Sequence, residues 1–414
     1  MEKNRIITTP NKTVSPQKSE EVKGLMNNFR YQNPTEVVFG QGQTAHLPEL
    51  LQEYAPAQPK ILLTYGGGSI KKNGAYDQVK AALTGFDVLE FGGIEPNPQY
   101  STLMKAVEIV KAEGVNFLLA VGGGSTLDGT KFIAAASKID SADAWDVILE
   151  KQTPVTDAVA LADIITLPAT GSETNGFAVI SKKEETKKLA FWSKAVFPKF
   201  SIIDPSFTFT LPPRQTANGI ADTFVHVVEQ YITHPQDCPL QDRQAEAIFL
   251  ALLDTAPRVL ANPNDYQARA NIFWMATQAL NGWLNVGTVQ CWAIHAIGHE
   301  LTAQVGVDHG CSLALVLPGM WRHQRAEKGE KIAQLGRRVF GITGDDQNAV
   351  IDETIARTIA FFQSLGINAT RQAYGVTDAV INAVAEMIAS RGVKIGDRAN
   401  IGKQEIIDIL HLCD

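Results

Sequence analysis

Two stretches of the chain contain side chains whose types and spacing are typical of a metal site. In the stretch HAIGHELTAQVGVDHG, His295 and His299 are four residues apart, and His309 follows ten residues later. Upstream, Asp222 and His226 have the same four-residue spacing in GIADTFVHVVEQY. Residues four apart share one face of a helix. One carboxylate with several imidazoles suits Fe²⁺ or Zn²⁺. Asp222, His226 and two further histidines would leave an open position for catalysis.

A glycine loop in VGGGSTLDGTK is a candidate for binding a pyrophosphate group. The loop follows an apolar run and precedes a helical pattern. Its glycines let the backbone approach a ligand, and the helix start offers amide donors and a positive dipole end. The alternative is a tight turn that needs glycine for its conformation alone. The candidate residues are Gly122, Gly123, Gly124 and Ser125.

A second glycine loop, in TYGGGSIKKNG, bears on the choice between NAD and NADP. In nucleotide-binding folds an acidic side chain near this position often accepts the ribose hydroxyls of NAD. This loop has no carboxylate and carries Lys71 and Lys72, so it favours the 2′-phosphate of NADP. The alternative, most of all for Lys72, is a lysine that is merely solvated. The candidate cofactor residues are Gly66, Gly67, Gly68 and Ser69.

The elements that must position these residues follow from the apolar pattern of the first half. Short apolar runs enter polar or glycine-rich loops in KILLTYGGGS, FDVLEFGGIEP, VNFLLAVGGGS and IITLPATGSE, with helical patterns between them. Strands that alternate with helices predict a parallel sheet covered on both faces. Ligands bind at the carboxyl ends of such strands. The glycine loops are therefore expected at one edge of a Rossmann-like α/β domain.

The second half has a different periodicity. From Pro213 onward the chain shows long helical patterns, among them 215–234, 293–304 and 378–391, and few strand signals. This predicts a helical domain that carries the metal residues. The expected division is a disordered leader or tag at 1–25, a dinucleotide-binding α/β domain at 26–208 and a helical metal-binding domain at 209–414.

Composition narrows the class of protein and its partners. The net charge of −7, from 37 basic and 44 acidic side chains among 414 residues, argues against nucleic acid or an anionic membrane as a partner. The four cysteines form no CxxC pair, which favours a reducing cytoplasm. No apolar run approaches the ~20 residues of a membrane span. For the polar first 25 residues, an organellar transit peptide is disfavoured by Glu20 and Glu21.

Four separated motifs in order resemble the signatures of the iron-containing, or group III, alcohol dehydrogenases. They are GGGSTLDGTK, TLPATGSE, DTFVHVVEQY and HAIGHELTAQVGVDHG. YGGGSIKK and VLEFGGIEPNP look closest to the NADPH-dependent butanol dehydrogenase and broad-specificity aldehyde reductase branch. The similarity covers essentially everything after the leader. It implies a Rossmann-like domain followed by a helical domain, an active site in the cleft between them, and a homodimer.

The resemblance also implies roles for individual residues. His299 would lie beside the metal, interact with substrate or nicotinamide and relay protons. Thr166 and Thr170 would contact the cofactor near its nicotinamide end, Lys188 would be a further cofactor-site residue, and Asp128 would belong to the pyrophosphate site. Asp308 stands before His309 where many relatives have proline, which leaves the metal preference open. The implied metal ligands are Asp222, His226, His295 and His309.

These observations predict an NADPH-dependent reductase of short- to medium-chain aldehydes that also runs in reverse as an alcohol dehydrogenase. A divalent cation would polarise the carbonyl while hydride arrives from C4 of the nicotinamide. The alternatives are a metal- and NAD-dependent synthase resembling dehydroquinate synthase, a polyol (glycerol-type) dehydrogenase, and a catalytically silent NADP-binding protein. The synthase needs a basic pocket for a phosphorylated, carboxylated substrate. The helical half instead offers apolar and aromatic residues as candidates for the pocket lining. These candidates are Trp274, Trp283, Leu284 and Trp292.

Overall fold

The computed structural model describes residues 24–141 and 143–414. The expected leader at 1–25 therefore lies almost wholly outside the described residues, and its nature stays a prediction. The first two described residues are bound to the helical half. The backbone amide of Asp237 donates to the carbonyl of Gly24, and the Gln236 side chain donates to the carbonyl of Leu25.

A six-stranded parallel sheet forms the first half, in the strand order β1-β8-β5-β4-β2-β3. Its strands are β1 (Glu36–Phe39), β2 (Lys60–Tyr65), β3 (Asp87–Phe91), β4 (Phe117–Gly122), β5 (Ala160–Ile165) and β8 (Phe200–Ile203). Strand β4 lies in the middle of the sheet and is buried along its whole length. Successive residues point to opposite faces, so Phe117 and Leu119 pack in one apolar cluster and Leu118 in another. Helices cover both clusters. This is expected because a strand that is apolar on both faces must be shielded from water on both sides of the sheet.

Four helices cover the sheet, and the fold class predicted for this half is confirmed. They are α1 (Leu47–Tyr54), α2 (Ala75–Ala82), α3 (Tyr100–Glu113) and α4 (Gly124–Ala136). Helix α4 follows β4 through the first glycine loop and is buried at nearly every position. The antiparallel ribbon of β6 (Phe177–Lys182) and β7 (Lys187–Trp192) was not foreseen from the sequence. In β6, Ala178 and Ile180 are fully buried, while Phe177 and Val179 are more exposed.

The second half is helical, as predicted. Its helices are α5 (Pro213–Tyr231), α6 (Pro239–Ala261), α7 (Tyr266–Leu280), α8 (Ala293–Val305), α9 (His309–His323), α10 (Arg325–Arg338), α11 (Gln347–Ser364), α12 (Asp378–Ala389) and α13 (Lys403–His411). Helix α5 lies within the apolar cluster of this half. No helix in the described part of the chain is long and apolar enough to cross a membrane. The last sheet strand ends at Ile203 and the first long helix begins at Pro213. The domain division at 208 remains our proposal.

Candidate metal centre and cofactor cleft

The first glycine loop is packed tightly against the loop that follows β5. A Cβ atom added to Gly124 would lie 2.4 Å from Thr170 Oγ1, and one added to Gly122 would lie 2.6 Å from Thr126 Oγ1. The backbone amide of Thr166 donates to the carbonyl of Gly122 at 2.8 Å. Glycine is therefore required here for close packing, and the same packing leaves the start of α4 at the carboxyl edge of the sheet. A helix start in this place favours a bound phosphate.

Asp128 and Lys131, in the first turns of α4, are buried and bonded to other parts of the protein. The Asp128 carboxylate accepts hydrogen bonds from Ser172 Oγ at 2.7 Å and from the Val179 amide at 3.0 Å. Burial raises the pKa of this carboxyl against the effect of the Lys131 charge. Lys131 Nζ donates to oxygens of Ser172, Asn175 and Phe177, and burial lowers its pKa to about 8. Both side chains fix the loops beneath the cleft, so a direct cofactor contact of Asp128 stays a prediction.

The second glycine loop is open where a ligand would approach. Gly68 has a positive φ of 102°, and a Cβ atom added to it would have no neighbour within 4 Å. Ser69 begins a short helical turn and is exposed. The ammonium group of Lys71 lies 4.8 Å from the ring centre of Tyr76 and 5.3 Å from that of Tyr65. These cation–π contacts hold the lysine beside the loop.

The sheet also brings a carboxylate near this loop, which the sequence argument missed. Glu90, at the end of β3, accepts hydrogen bonds from the Tyr76 hydroxyl at 3.0 Å and from Lys80 Nζ at 2.7 Å. The Tyr65 hydroxyl donates to it at 3.3 Å. Burial alone would raise the pKa of Glu90, but Lys80 and Tyr76 lower it, so the carboxylate stays charged and is paired. The loop itself keeps its neutral and basic side chains.

Helix α5 approaches the loop after β5 closely enough to join the two halves of the cleft. A Cβ atom added to Gly219 would lie 2.2 Å from the carbonyl oxygen of Pro168, so only glycine permits this contact. Pro168 lies between Thr166 and Thr170, the two threonines predicted near the nicotinamide. Gly219 stands three residues before Asp222 on the same helix. The contact therefore places the predicted nicotinamide end next to the predicted metal residues.

The metal residues converge from three helices. Asp222 and His226 lie on α5 and His295 on α8, while His309 is the first residue of α9. A Cβ atom added to Gly310 would lie 2.5 Å from the carbonyl oxygen of Asn218, so glycine allows α9 to begin against α5.

Three of the predicted ligands have donor atoms close enough to share one cation, and the fourth, His226, lies near Asp222. Donor atoms of Asp222, His295 and His309 lie within 4.8 Å of one another. The distances from Asp222 Oδ1 are 3.4 Å to His226 Nε2, 3.6 Å to His309 Nε2 and 3.7 Å to His295 Nε2. Two bonds of about 2.1 Å at a tetrahedral angle place their donors about 3.4 Å apart. Among the described residues, buried Asp222 Oδ1 and His295 Nε2 have no hydrogen-bond partner, which a cation would supply.

Electrostatics at the centre favours a charged carboxylate at Asp222 and neutral imidazoles at His226 and His309, but not at His295. Burial would raise the pKa of Asp222, but His226, His295 and His309 hold it below its usual range. Burial lowers the pKa of His226 to about 4, and burial with Lys188 holds that of His309 well below its usual range. For His295, burial would lower the pKa, yet Asp222 and Glu229 raise it. Metals bind to anionic carboxylate oxygens and neutral imidazole nitrogens, which are the states favoured at Asp222, His226 and His309.

His299 lies beside the metal residues without joining the tight group. It is half-buried on α8, with its ring centre 4.8 Å from that of His309 and 6.2 Å from that of His295. Burial, followed by the charge of Lys188, holds the pKa of His299 well below its usual range. Lys188 is itself buried on β7, which packs against α8, and burial lowers its pKa to about 8 while Asp222 raises it. The sequence-derived positions of both residues agree with this geometry, while their roles stay predictions.

Glu229 is a residue of the site that the sequence argument missed. Its Oε1 atom accepts a hydrogen bond from the backbone amide of His295 at 2.9 Å and lies 3.3 Å from His295 Nδ1. This contact holds the imidazole with Nε2 turned toward Asp222, which is how carboxylates orient metal-bound histidines. Glu229 is seven residues after Asp222, and that helical spacing is the signal that could have revealed it.

Asp308, which precedes the predicted ligand His309, is bonded to α5. Its carboxylate accepts from Arg214 Nη2 at 2.6 Å and from Asn218 Nδ2 at 2.9 Å. Arg214 and Asn218 help to lower its pKa although burial would raise it. Asp308 precedes α9 and therefore fixes the start of the helix on which His309 lies.

Of the apolar pocket candidates, one lies at the metal centre. The ring centre of Trp292 is 5.2 Å from that of His295. Trp274 and Trp283 are exposed and pack against Phe39 and Tyr31 respectively. Leu284 is buried and lines a separate small cavity. Of the four predicted pocket residues, only Trp292 therefore lies beside the predicted metal ligands.

Comparison with known proteins gives matches along nearly the whole described chain. A family model described as iron-containing alcohol dehydrogenase matches residues 34–205, and the C-terminal model of the same family matches residues 216–413. The NADPH-dependent aldehyde reductase YqhD of Escherichia coli is 48% identical over 91% of this chain and 97% of its own. A probable NADH-dependent butanol dehydrogenase of Bacillus subtilis is 40% identical over 93% of this chain and 99% of its own.

Solved structures agree with this match. The crystal structure of E. coli YqhD has a TM-score of 0.91 at 46% identity and covers 95% of this chain and 100% of its own. The NADH-dependent butanol dehydrogenase A of Thermotoga maritima has a TM-score of 0.90 at 34% identity, over 94% of this chain and 99% of its own. The arrangement of the sheet and the helical half is therefore shared with these proteins.

Proposed function

Because the chain belongs to the iron-containing alcohol dehydrogenase family, we propose that it reduces short- to medium-chain aldehydes to alcohols with NADPH and a divalent metal. The aldehyde, NADPH and one proton give the alcohol and NADP⁺, and the reaction runs in reverse as alcohol oxidation. The observation that carries the proposal is the convergence of one carboxylate and three imidazoles beside the loop after β5.

We assign the metal to the four converging residues, with iron as the first choice because the family is an iron-containing one. Zinc accepts the same donors and is the second choice. When bound, the cation supplies Lewis acidity to a carbonyl oxygen and the dihydronicotinamide supplies hydride. Glu229 orients His295, and Asp308 fixes the start of α9 beneath His309. The assigned ligands are Asp222, His226, His295 and His309.

We propose that the cofactor binds to the two glycine loops and to the residues that lie between these loops and the metal. The start of α4 would receive the pyrophosphate. Thr166 and Thr170 would contact the cofactor near its nicotinamide end, and Lys188 would be a further cofactor-site residue. Ser69 and Lys71 would meet the 2′-phosphate of NADP. The relatives differ in their cofactor, because the name of YqhD gives NADPH and the name of the Bacillus protein gives NADH. Neutral and basic side chains in the second glycine loop support NADPH for this chain.

We assign proton transfer to His299. Reduction of an aldehyde consumes one proton, and the half-buried ring lies next to His309. An imidazole accepts a proton at one nitrogen and donates from the other, so a ring in this place passes a proton inward.

The alternative functions receive less support. Relatives with high identity are named as aldehyde reductases or alcohol and butanol dehydrogenases, which disfavours the synthase. A catalytically silent protein would not explain a metal-binding donor set with buried, unpaired donor atoms. We also propose a homodimer and a cytoplasmic location, the latter because all four cysteines, each within the described residues, are free thiols.

The proposed function is tested by an NADPH-oxidation assay coupled to metal analysis. Protein reloaded with Fe²⁺ or Zn²⁺ is mixed with butyraldehyde, shorter aldehydes or methylglyoxal, and with NADPH or NADH in parallel. We expect metal-dependent oxidation of NADPH in preference to NADH. Absence of turnover in fully metal-loaded protein with every aldehyde would contradict the proposal. Light scattering of the same sample tests the homodimer.

A further inference from the structure

Trp292 has a backbone conformation that few residues of its kind adopt. It precedes α8 with φ 58° and ψ 12°, in the left-handed region that favours glycine. A bulky side chain at positive φ is uncommon, and such strained positions cluster at functional sites. Among the described residues, five non-glycine residues have positive φ, and Trp292 is the one aromatic residue of the five. The surrounding structure therefore holds this side chain in a disfavoured backbone conformation.

The indole ring is fixed against two of the metal residues. Its centre lies 5.2 Å from that of His295 and 6.2 Å from that of His226, with interplanar angles of 70° and 62°. These edge contacts are favourable for aromatic rings. The two imidazoles stack on each other at 4.8 Å, and the indole N–H donates to the side-chain oxygen of Gln290.

Partial exposure distinguishes this ring from an ordinary core tryptophan. Trp145 and Trp321 are fully buried in the two apolar clusters, whereas Trp292 is half-buried although it lies against His226 and His295, which are themselves buried. A ring that contacts the metal residues on one side and remains accessible on another is in a position to touch a small molecule that approaches the cation.

We infer that Trp292 is the specificity-determining wall of the aldehyde pocket. This inference rests on the proposed function and deepens it. The indole limits the bulk that the substrate carries next to its carbonyl carbon, so linear aldehydes are accepted and aldehydes with branched α-carbons are rejected. The left-handed backbone of Trp292 is what sets the ring against His226 and His295.

The first test compares substrates in Trp292→Gly and Trp292→Ala. Both variants remove the ring, but glycine adopts the positive φ freely and alanine does not, so their difference isolates the backbone. One methylene group in an apolar pocket changes discrimination by roughly 10–200-fold. We therefore expect the ratio of kcat/KM for 2,2-dimethylpropanal to that for butyraldehyde to rise at least about tenfold in both variants. Trp274→Ala, which removes an exposed tryptophan, is the matched control and should leave the ratio unchanged.

The second test locates the ring without any turnover. The chain has six tryptophans, and Co²⁺ quenches the fluorescence of an indole that lies close to it. Titration with Co²⁺ should quench wild-type emission, and Trp292→Phe should lose the largest share of that quenching among the six single Trp→Phe variants. Equal quenching in Trp292→Phe and wild type would overturn the inference, and this variant keeps an aromatic ring should the smaller replacements fail to fold.

The two tests also separate this inference from the proposed function. A wild-type protein that binds Co²⁺ but reduces no aldehyde would contradict the function, while the quenching result would still decide where the ring lies. An active wild-type protein whose substrate ratio changes less than twofold in both Trp292→Gly and Trp292→Ala would overturn the inference alone.

Discussion

Replacement of Glu229 tests whether the metal site depends on the carboxylate behind His295. Glu229 Oε1 lies 2.9 Å from the backbone nitrogen of His295 and 3.3 Å from its Nδ1, and Glu229 is 1% exposed. Glu229→Ala would leave the backbone N–H and Nδ1 of His295 buried without the carboxylate, and the imidazole would be free to rotate. Loss of such a partner lowers metal affinity roughly 10–100-fold, which corresponds to about 1.4–2.7 kcal/mol.

Glu229→Gln separates the charge from the hydrogen bonds. The amide oxygen still accepts from His295, so we expect a loss of metal affinity below about tenfold. Glu246→Gln is the matched control, because Glu246 is also a buried carboxylate of the helical half but pairs with Tyr231 and Arg338. It should lower stability and leave metal affinity at the wild-type value.

The assay is competition for Fe²⁺ or Zn²⁺ with a chromophoric chelator, which gives the metal dissociation constant directly. Thermal unfolding of each metal-free variant shows whether the protein is folded before the metal is added. The reasoning would be refuted if folded Glu229→Ala bound metal within twofold of wild type. It would also be refuted if Glu246→Gln lost as much affinity as Glu229→Ala.

Three further predictions address the proton relay, the cofactor and the joint between the two halves. His299→Ala should lower kcat by about 100-fold with metal content near normal, and metal loss as large as that of His295→Ala would contradict the assigned role. Ser69→Asp should raise the dissociation constant for NADPH at least about tenfold and that for NADH far less, whereas equal changes would remove Ser69 from the 2′-phosphate site. Gly219→Ala places a Cβ 2.2 Å from the carbonyl oxygen of Pro168 and should lower the free energy of unfolding by about 1–3 kcal/mol. If the urea midpoint of Gly219→Ala equals that of the wild type, α5 and the loop after β5 can move apart without loss of stability, and the prediction is wrong.

The α/β half was predictable because its signals are local. Each buried strand is a short apolar run that ends in a glycine-rich or polar loop, and VNFLLAVGGGSTLDGTK contains β4, the first glycine loop and the start of α4. The β6–β7 ribbon was missed because its two strands are joined by the polar stretch KKEETKK, which hides the alternation of buried Ala178 and Ile180.

The parts of the site that the sequence could not supply depend on contacts between distant residues. Glu90 reaches the second glycine loop only because β3 pairs with β2. Lys131 follows the first glycine loop in sequence, but its amine donates hydrogen bonds to oxygens of Ser172, Asn175 and Phe177. Local spacing predicted residues that the structure brings together, whereas their hydrogen-bond partners required the three-dimensional structure.

X-ray absorption of the protein loaded with one equivalent of Zn²⁺ tests most directly whether the four converging residues hold a single metal. The spectrum of the wild-type protein should fit three imidazole nitrogens and one carboxylate oxygen at about 2.0–2.2 Å. His309→Ala should reduce the fit to two imidazoles, and Asp222→Ala should weaken binding most. A sulfur donor in the first shell, or a spectrum that does not change in His309→Ala, would contradict the account.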